Sequence, residues 1–212
     1  MWQNELEKEQ ELVKTFGGEW IFLNAHPHYQ FFDVESDLTK LLLPEIQQLF
    51  RDGTMTIEGK VAESTEFRPR SDSIIWYHPT GNLNSMLNRY HILMHRFMNH
   101  VNSQLLGGTE KRLTKIEMQL SKYPAGSSGF KYHFDATKIS SSSRRITFVF
   151  YLNSDWKKED GGEIEIALNS NSKDTVSIEP IANRFLIFHS CFVKHRVLSN
   201  NNDRYSITCW FS

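Results

Sequence analysis

His133 and Asp135 stand two residues apart in Tyr132-His133-Phe134-Asp135, inside a segment that reads as a β-strand. Side chains at that spacing on a strand share a face, so an imidazole and a carboxylate can converge on one point. Such a pair suits a metal ion, and a third donor is needed. His195, in Lys194-His195-Arg196-Val197, opens a later predicted strand 60 positions beyond Asp135. Two imidazoles and one carboxylate on a ferrous ion leave three coordination positions open, enough for a chelating cosubstrate and dioxygen. Nine residues after His195 comes Arg204, whose guanidinium on the following strand can form a bidentate pair with the distal carboxylate of 2-oxoglutarate. His189, in Phe188-His189-Ser190, is a rival third ligand near a turn, but His195 alone has the arginine nine residues later. Each residue by itself has an ordinary explanation as a strand histidine, a turn carboxylate or a solvated charge. Their order, strand placement and spacing together argue for the metal.

The elements that must position these residues divide the chain by texture. The first 110 residues read mostly as helices: an amphipathic segment over 4–16, a helix over about 37–50 whose course is complicated by Pro44, and one over 83–106. In the last of these, Leu83, Met86, Leu87, Tyr90, Met94, Phe97, Met98, Val101 and Leu105 recur at three- and four-residue steps, and Gly107 and Gly108 end it. A short strand is predicted over 73–77. From Thr114 onward the pattern is β, with strands predicted at 115–122, 130–135, 144–152, 163–168, 174–178, 184–188, 194–198 and 204–211. Eight short strands after a helical half give a mainly β fold with flanking helices, a jelly roll or sandwich braced by helices. Ser140 to Ser143 reads as a loop. No linker divides the chain, so 1–212 is expected to form one domain, with 1–110 as helical support and 115–212 as the β core.

Composition limits the function classes. With 212 residues, 39% of them hydrophobic, the chain can bury a sizeable core, which excludes disorder. Lys and Arg number 24 against 25 Asp and Glu, a net charge of -1, so no general cationic field exists to collect nucleic acid or anionic membrane. Two cysteines, Cys191 and Cys209, cannot staple a secreted scaffold, and a cytoplasmic or nuclear setting is expected.

The run from Tyr123 to Asp135 (Tyr-Pro-Ala-Gly-Ser-Ser-Gly-Phe-Lys-Tyr-His-Phe-Asp) resembles the metal-binding entry of the prolyl 4-hydroxylase branch of 2-oxoglutarate- and Fe(II)-dependent dioxygenases. Tyr151 to Trp156, Gly161 to Ile164, Ile178 to Pro180, Arg184 to Phe188 and Arg204 to Thr208 agree with it. So does Arg70-Ser71-Asp72-Ser73-Ile74-Ile75-Trp76 upstream. The chain is most similar to the hypoxia-inducible-factor prolyl hydroxylases and their bacterial and protist relatives, densely over 115–212 and patchily over 68–114. It departs from them at Phe130, where relatives often carry Tyr, and at Cys191-Phe192-Val193-Lys194, which replaces an Arg-rich, Pro-containing stretch of the animal enzymes.

The resemblance implies a double-stranded β-helix, with His133, Asp135 and His195 as iron ligands and Arg204 as partner of the 2-oxoglutarate 5-carboxylate. Tyr151 falls on a tyrosine that hydrogen-bonds the same carboxylate, and Tyr123 on one near the cosubstrate's other end. Thr208 and Trp210 fall on pocket-lining positions, Arg144 and Trp76 near the substrate cleft. Fe(II), 2-oxoglutarate and dioxygen are the implied cofactors and cosubstrates, with ascorbate as an accessory that the family can use. The implied reaction is hydroxylation of prolyl C4 in a partner protein presenting an exposed proline, with release of succinate and CO2. A hydroxylase of a free amino acid or other small molecule is the alternative. A nucleic-acid demethylase is disfavoured because Trp210 stands where that branch carries a second arginine, and a non-catalytic binding module because no ligand is lost.

Overall fold

Short apolar or alternating runs, most of them after Leu113, build two facing antiparallel sheets in the computed structural model, which describes residues 29–53, 57–58, 71–82, 84–105, 112–136, 144–168 and 174–212. In chain order the elements are β1 (Tyr29–Asp33), α1 (Leu38–Arg51), β2 (Ile57–Glu58), β3 (Ser73–Tyr77), α2 (Met86–Leu105), β4 (Ile116–Tyr123), β5 (Phe130–His133), β6 (Ile146–Tyr151), β7 (Ile164–Ala167), β8 (Thr175–Ile178), β9 (Arg184–His189), β10 (His195–Val197) and β11 (Arg204–Phe211), with a 3-10 turn at Lys158–Asp160 before β7. The major sheet has the order β1-β9-β6-β11-β4-β3-β2 and the minor sheet β5-β10-β7-β8. This is the double-stranded β-helix expected from the sequence, with all eight predicted core strands present.

The two faces of the major sheet do different work. Met118, Leu120, Phe148, Phe150, Phe185, Ile187, Ile207, Cys209 and Phe211 point outward and are covered by Leu42 and Ile46 of α1 and by Leu87, Tyr90, Met94, Phe97 and Val101 of α2. Their neighbours on the same strands point inward, so Val149, Tyr151, Leu186 and Phe188 meet Ile164, Ile166 and Ile178 of the minor sheet. A strand's period of two therefore separates the helix-packed core from the barrel interior.

Two expectations are corrected, and the course of the helix past Pro44 is resolved. The helical half also supplies strands. Besides the predicted β3, β1 adds to the edge of the major sheet through β9, and Arg184 grips Asp33 in a bidentate pair at 2.6 and 2.9 Å. Helix α1 runs through Pro44 without ending, because Leu42 and Ile46 on either side are fully buried and packing outweighs the lost backbone hydrogen bond. Asp135 is not in a strand: β5 stops at His133 and Asp135 lies in the following bend. The amphipathic segment 4–16, Arg70, Gly107 and Gly108, and Ser140 to Ser143 lie outside the described residues.

Phe148 is fully buried on the helix side, with the rings of Phe97 and Phe185 each 4.9 Å away. Phe148→Ala should cost about 3 to 5 kcal/mol in denaturant unfolding. Because the side chain faces away from the barrel interior, the folded fraction should retain metal binding in a titration.

Candidate active site

His133 is the last residue of β5 and His195 the first of β10, and the two pair directly across the minor sheet. Opposed residues of an antiparallel pair place their side chains a few ångströms apart, and the two imidazole rings lie 4.2 Å apart. Each Nδ1 meets a backbone carbonyl two residues upstream, His133 at 2.9 Å from Lys131 and His195 at 3.1 Å from Val193. A carbonyl only accepts, so Nδ1 of each ring carries the proton and Nε2 keeps its lone pair. Asp135 Oδ1 lies 3.5 Å from Nε2 of His133 and 3.8 Å from Nε2 of His195. The three donor atoms are within 4.8 Å of one another. Two neutral imidazoles and one carboxylate so gathered fit a ferrous ion with open positions. His189, the rival, ends β9 with its ring edge-on to Phe192, outside this cluster.

The electrostatics suit a cation. Burial, followed by the nearby His133, pushes the pKa of His195 down to about 4, with Asp135 opposing. Burial acts to raise the Asp135 pKa, but His195, His133 and the Thr147 hydroxyl together hold it well below the usual carboxylate range. At neutral pH His195 is neutral and Asp135 charged, the forms that ligate metal.

A clamp that motif reading missed fixes both histidine strands from the far face of the minor sheet. Glu165 of β7 accepts from Tyr132, the neighbour of His133, and from Arg196, the neighbour of His195, whose Nε and Nη2 both lie 2.7 Å away. The guanidinium also sits 4.8 Å over the Tyr132 ring. Three strands are thereby tied at one carboxylate.

Arg204 opens β11 and is buried, 4% exposed. Its Nε donates to the Gly162 carbonyl at 2.7 Å, and Nη1 lies 3.3 Å from Ser206 Oγ. The guanidinium lies 5.1 Å from the Tyr123 ring and 5.2 Å from the Tyr151 ring. Gly162 has a φ of +76°, and a Cβ there would come 2.9 Å from Arg204 Cδ, so glycine permits this close seat. The Tyr151 hydroxyl is buried with no hydrogen-bond partner among the described residues. Burial, only partly offset by Arg204 and Arg184, pushes its pKa up to about 12. A buried hydroxyl beside a buried guanidinium is a ready receptor for a carboxylate.

Arg204, Ser206, Thr208 and Trp210 alternate along β11 on its inward face, Thr208 half-buried between Gln119 of β4 and Val149 of β6. Trp210 ends this row beside Trp76, ring centroids 5.6 Å apart, and Arg144 caps it at 3.9 Å while pairing with Glu117 at 2.8 Å. Arg144 and Trp76, expected separately near a cleft, thus belong to one cluster. It lies at the opposite end of the row from Arg204.

Two histidines of the minor sheet, the adjoining Asp135 and a buried arginine of the major sheet give an interior that can hold a metal ion and an acidic ligand together. Residues 118–212 match the 2OG-Fe(II) oxygenase superfamily. Human Egl nine homolog 1 is 25% identical over 170 residues, which cover 79% of this chain but 39% of that protein. Mouse prolyl hydroxylase EGLN3 is 27% identical over 175 residues, 80% of this chain and 71% of that one. Among solved structures, a Trichoplax adhaerens prolyl hydroxylase in complex with a hypoxia-inducible-factor peptide fragment superposes with a TM-score of 0.79 at 23% identity, covering 100% of this chain and 92% of that one. A Pseudomonas putida prolyl-4-hydroxylase does so at 0.71 and 24%, covering 96% and 97%. The match of residues 118–212 to the 2OG-Fe(II) oxygenase superfamily carries with it Fe(II), 2-oxoglutarate and dioxygen, and the chain is similar to prolyl hydroxylases in sequence and in fold.

Stability of the metal-free protein should report the buried histidine. Between the usual 6.5 and about 4, the unfolded chain binds a proton at His195 that the folded chain refuses. Stability should therefore fall as pH drops through that window, by up to about 3 kcal/mol. The depressed Asp135 acts in the same sense but in a lower window, contributing stability above the unfolded carboxylate pKa that is lost only at more acidic pH. Melts of metal-free wild type and His195→Gln from pH 7 to 4.5 should show a shallower decline in the variant; equal declines would contradict the assignment. A metal titration of His133→Ala, Asp135→Ala and His195→Ala should show a sharp loss of affinity in each, since three donors leave no spare.

Proposed function

We propose that the protein is a peptidyl-prolyl 4-hydroxylase, with His133, Asp135 and His195 holding Fe(II) and Arg204 the 5-carboxylate of 2-oxoglutarate. Bound iron supplies the activation of dioxygen, so that one oxygen atom enters prolyl C4 and the other succinate, with loss of CO2. The chain's own residues supply placement. Arg204 is preset by Gly162 and Ser206, and the Tyr151 hydroxyl stands ready to donate to the same carboxylate. The tautomers of His133 and His195 are set before any ligand arrives. Tyr123, against the Arg204 guanidinium, and Thr208 and Trp210 line the remaining interior.

The observation that carries the choice of substrate is the Trp76–Trp210 pair under Arg144. Extended proline-containing segments dock on aromatic-lined surfaces because the ring is apolar and its backbone preformed. Trp76 is partly exposed beside the buried Trp210, and Phe134 and Phe192, near metal donors in sequence, are exposed, so aromatic rings are available to such a segment. Relatives that are prolyl hydroxylases support the same reading. The target residue must be exposed, since its C4 has to enter the barrel. Hydroxylation of a free amino acid or other small molecule is the second reading, because the triad and Arg204 do not encode the primary substrate. We propose one domain over the whole chain. No helix among the described residues is long and apolar enough to cross a membrane, and both cysteines are free. A cytoplasmic or nuclear setting suits these thiols.

Arg204→Ala should lose nearly all 2-oxoglutarate binding, about 3 to 5 kcal/mol, while keeping metal, because a buried carboxylate is left without its partner. Arg204→Lys should recover only part, having no bidentate fork. Unchanged affinity in Arg204→Ala would refute the role. For the substrate, a host lysate treated with enzyme, Fe(II) and 2-oxoglutarate should yield peptides with one added oxygen on proline by mass spectrometry. Efficient turnover of free proline without such peptides would favour the small-molecule reading.

A further inference from the structure

The two histidines come from the minor sheet, but the carboxylate between them is held by the major sheet. Asp135 lies in a bend beyond β5, outside any strand ladder. Its Oδ2 accepts a hydrogen bond from Thr147 Oγ1 at 2.6 Å, and Thr147 Oγ1 lies 2.9 Å from Ser190 Oγ. Thr147 is 1% exposed and Ser190 fully buried. An ionised carboxylate only accepts, so the single Thr147 proton goes to Asp135. Ser190 must therefore donate to Thr147, and the chain runs Ser190 to Thr147 to Asp135 in one direction. Both anchors are rigid: Thr147 sits in mid-sheet between Phe188 and Trp210, and the Ser190 amide donates to the Arg145 carbonyl at 3.0 Å. The Ser190 carbonyl in turn accepts from the amide of Ala136, next to Asp135.

The consequence concerns which oxygen is free. Oδ1 faces both imidazole Nε2 atoms, while Oδ2 is occupied. We propose that Thr147 is a positioning residue that keeps Asp135 a one-oxygen ligand, and so preserves an open metal position for the cosubstrate. This rests on the function proposed above. A carboxylate can ligate through one oxygen or both. Here a bidentate Asp135 would take one of the three positions that the triad leaves free, two of which a chelating 2-oxoacid needs. Nothing in the sequence marks Thr147, which looks like an ordinary β-favouring residue in Ile146-Thr147-Phe148-Val149.

The test compares wild type, Thr147→Val and Thr147→Ser loaded with Mn(II). Valine keeps the shape and removes the proton, whereas serine keeps the proton. One readout needs no cosubstrate: water-proton relaxation by the bound Mn(II), which counts coordinated water. Thr147→Val should lose about one third of it, one water of three, and Thr147→Ser little. The second readout is 2-oxoglutarate affinity of the same samples. Thr147→Val should bind at least about tenfold more weakly, the 1.4 kcal/mol of one lost decade, with Mn(II) affinity nearly unchanged and Thr147→Ser restoring most of it. Ser190→Ala should shift both readouts the same way by a smaller factor, and it carries the test if Thr147→Val does not fold. The proposal is overturned if relaxation and 2-oxoglutarate affinity are unchanged in Thr147→Val, or if metal affinity falls in step with them and serine rescues neither. Wild type that holds Mn(II) with the expected water but binds no 2-oxoglutarate would overturn the functional reading, while the relaxation result still decides the role of Thr147.

Discussion

The cross-strand pairing of His133 with His195 is the contact on which the site depends. It joins the end of one short strand to the start of another, so a one-residue slip would send one imidazole to the outer face. Register is therefore a functional quantity here, and several features defend it. Glu165 ties Tyr132 to Arg196 on the outside, and carbonyls of Lys131 and Val193 set both rings on the inside. Burial then keeps His195 unprotonated. A short minor sheet with little area of its own achieves this because the larger sheet, braced by two helices, covers its inner face.

The division of labour between the sheets explains why the interior can be polar without being weak. The larger hydrophobic cluster lies on the helix side, where aromatic rings such as Phe97, Phe148, Phe150 and Phe211 pack. The inward face is then free to carry Arg204, Ser206, Thr208 and the orphaned Tyr151 hydroxyl. Buried polar groups left partly unsatisfied cost free energy, and a bound carboxylate is the partner that would offset that cost.

Much of this was legible in the sequence because short apolar or alternating runs bounded by turn residues mark the core strands. The eight core strands, β3 and the helix beginning near Met86 all fell close to expectation. What escaped depends on contacts distant in sequence. β1 has no clean alternation, and its strand state comes from pairing with β9 and from the Arg184–Asp33 fork across 151 positions. The helix survives Pro44 because of burial that local propensity does not register. His133, Asp135, His195 and Arg204 were visible as residue types at a known spacing, and the resemblance supplied the tyrosines and tryptophans. Thr147, Ser190, Glu165 and Gly162 carry no chemical signature of their own, and only the fold reveals what they hold. Even for Asp135 the geometry differed from the reason first given, since a bend rather than a shared strand face delivers its carboxylate.

A cosubstrate gripped at one end by metal and at the other by Arg204 should bind only when both grips are present. Calorimetric titration of 2-oxoglutarate without oxygen, into metal-free protein and into protein loaded with Mn(II), measures this directly. One equivalent should bind the loaded protein, and the metal-free protein should bind it at least about tenfold more weakly, since one grip is lost. Equal affinity in the two samples, or no binding to the loaded one, would contradict the arrangement.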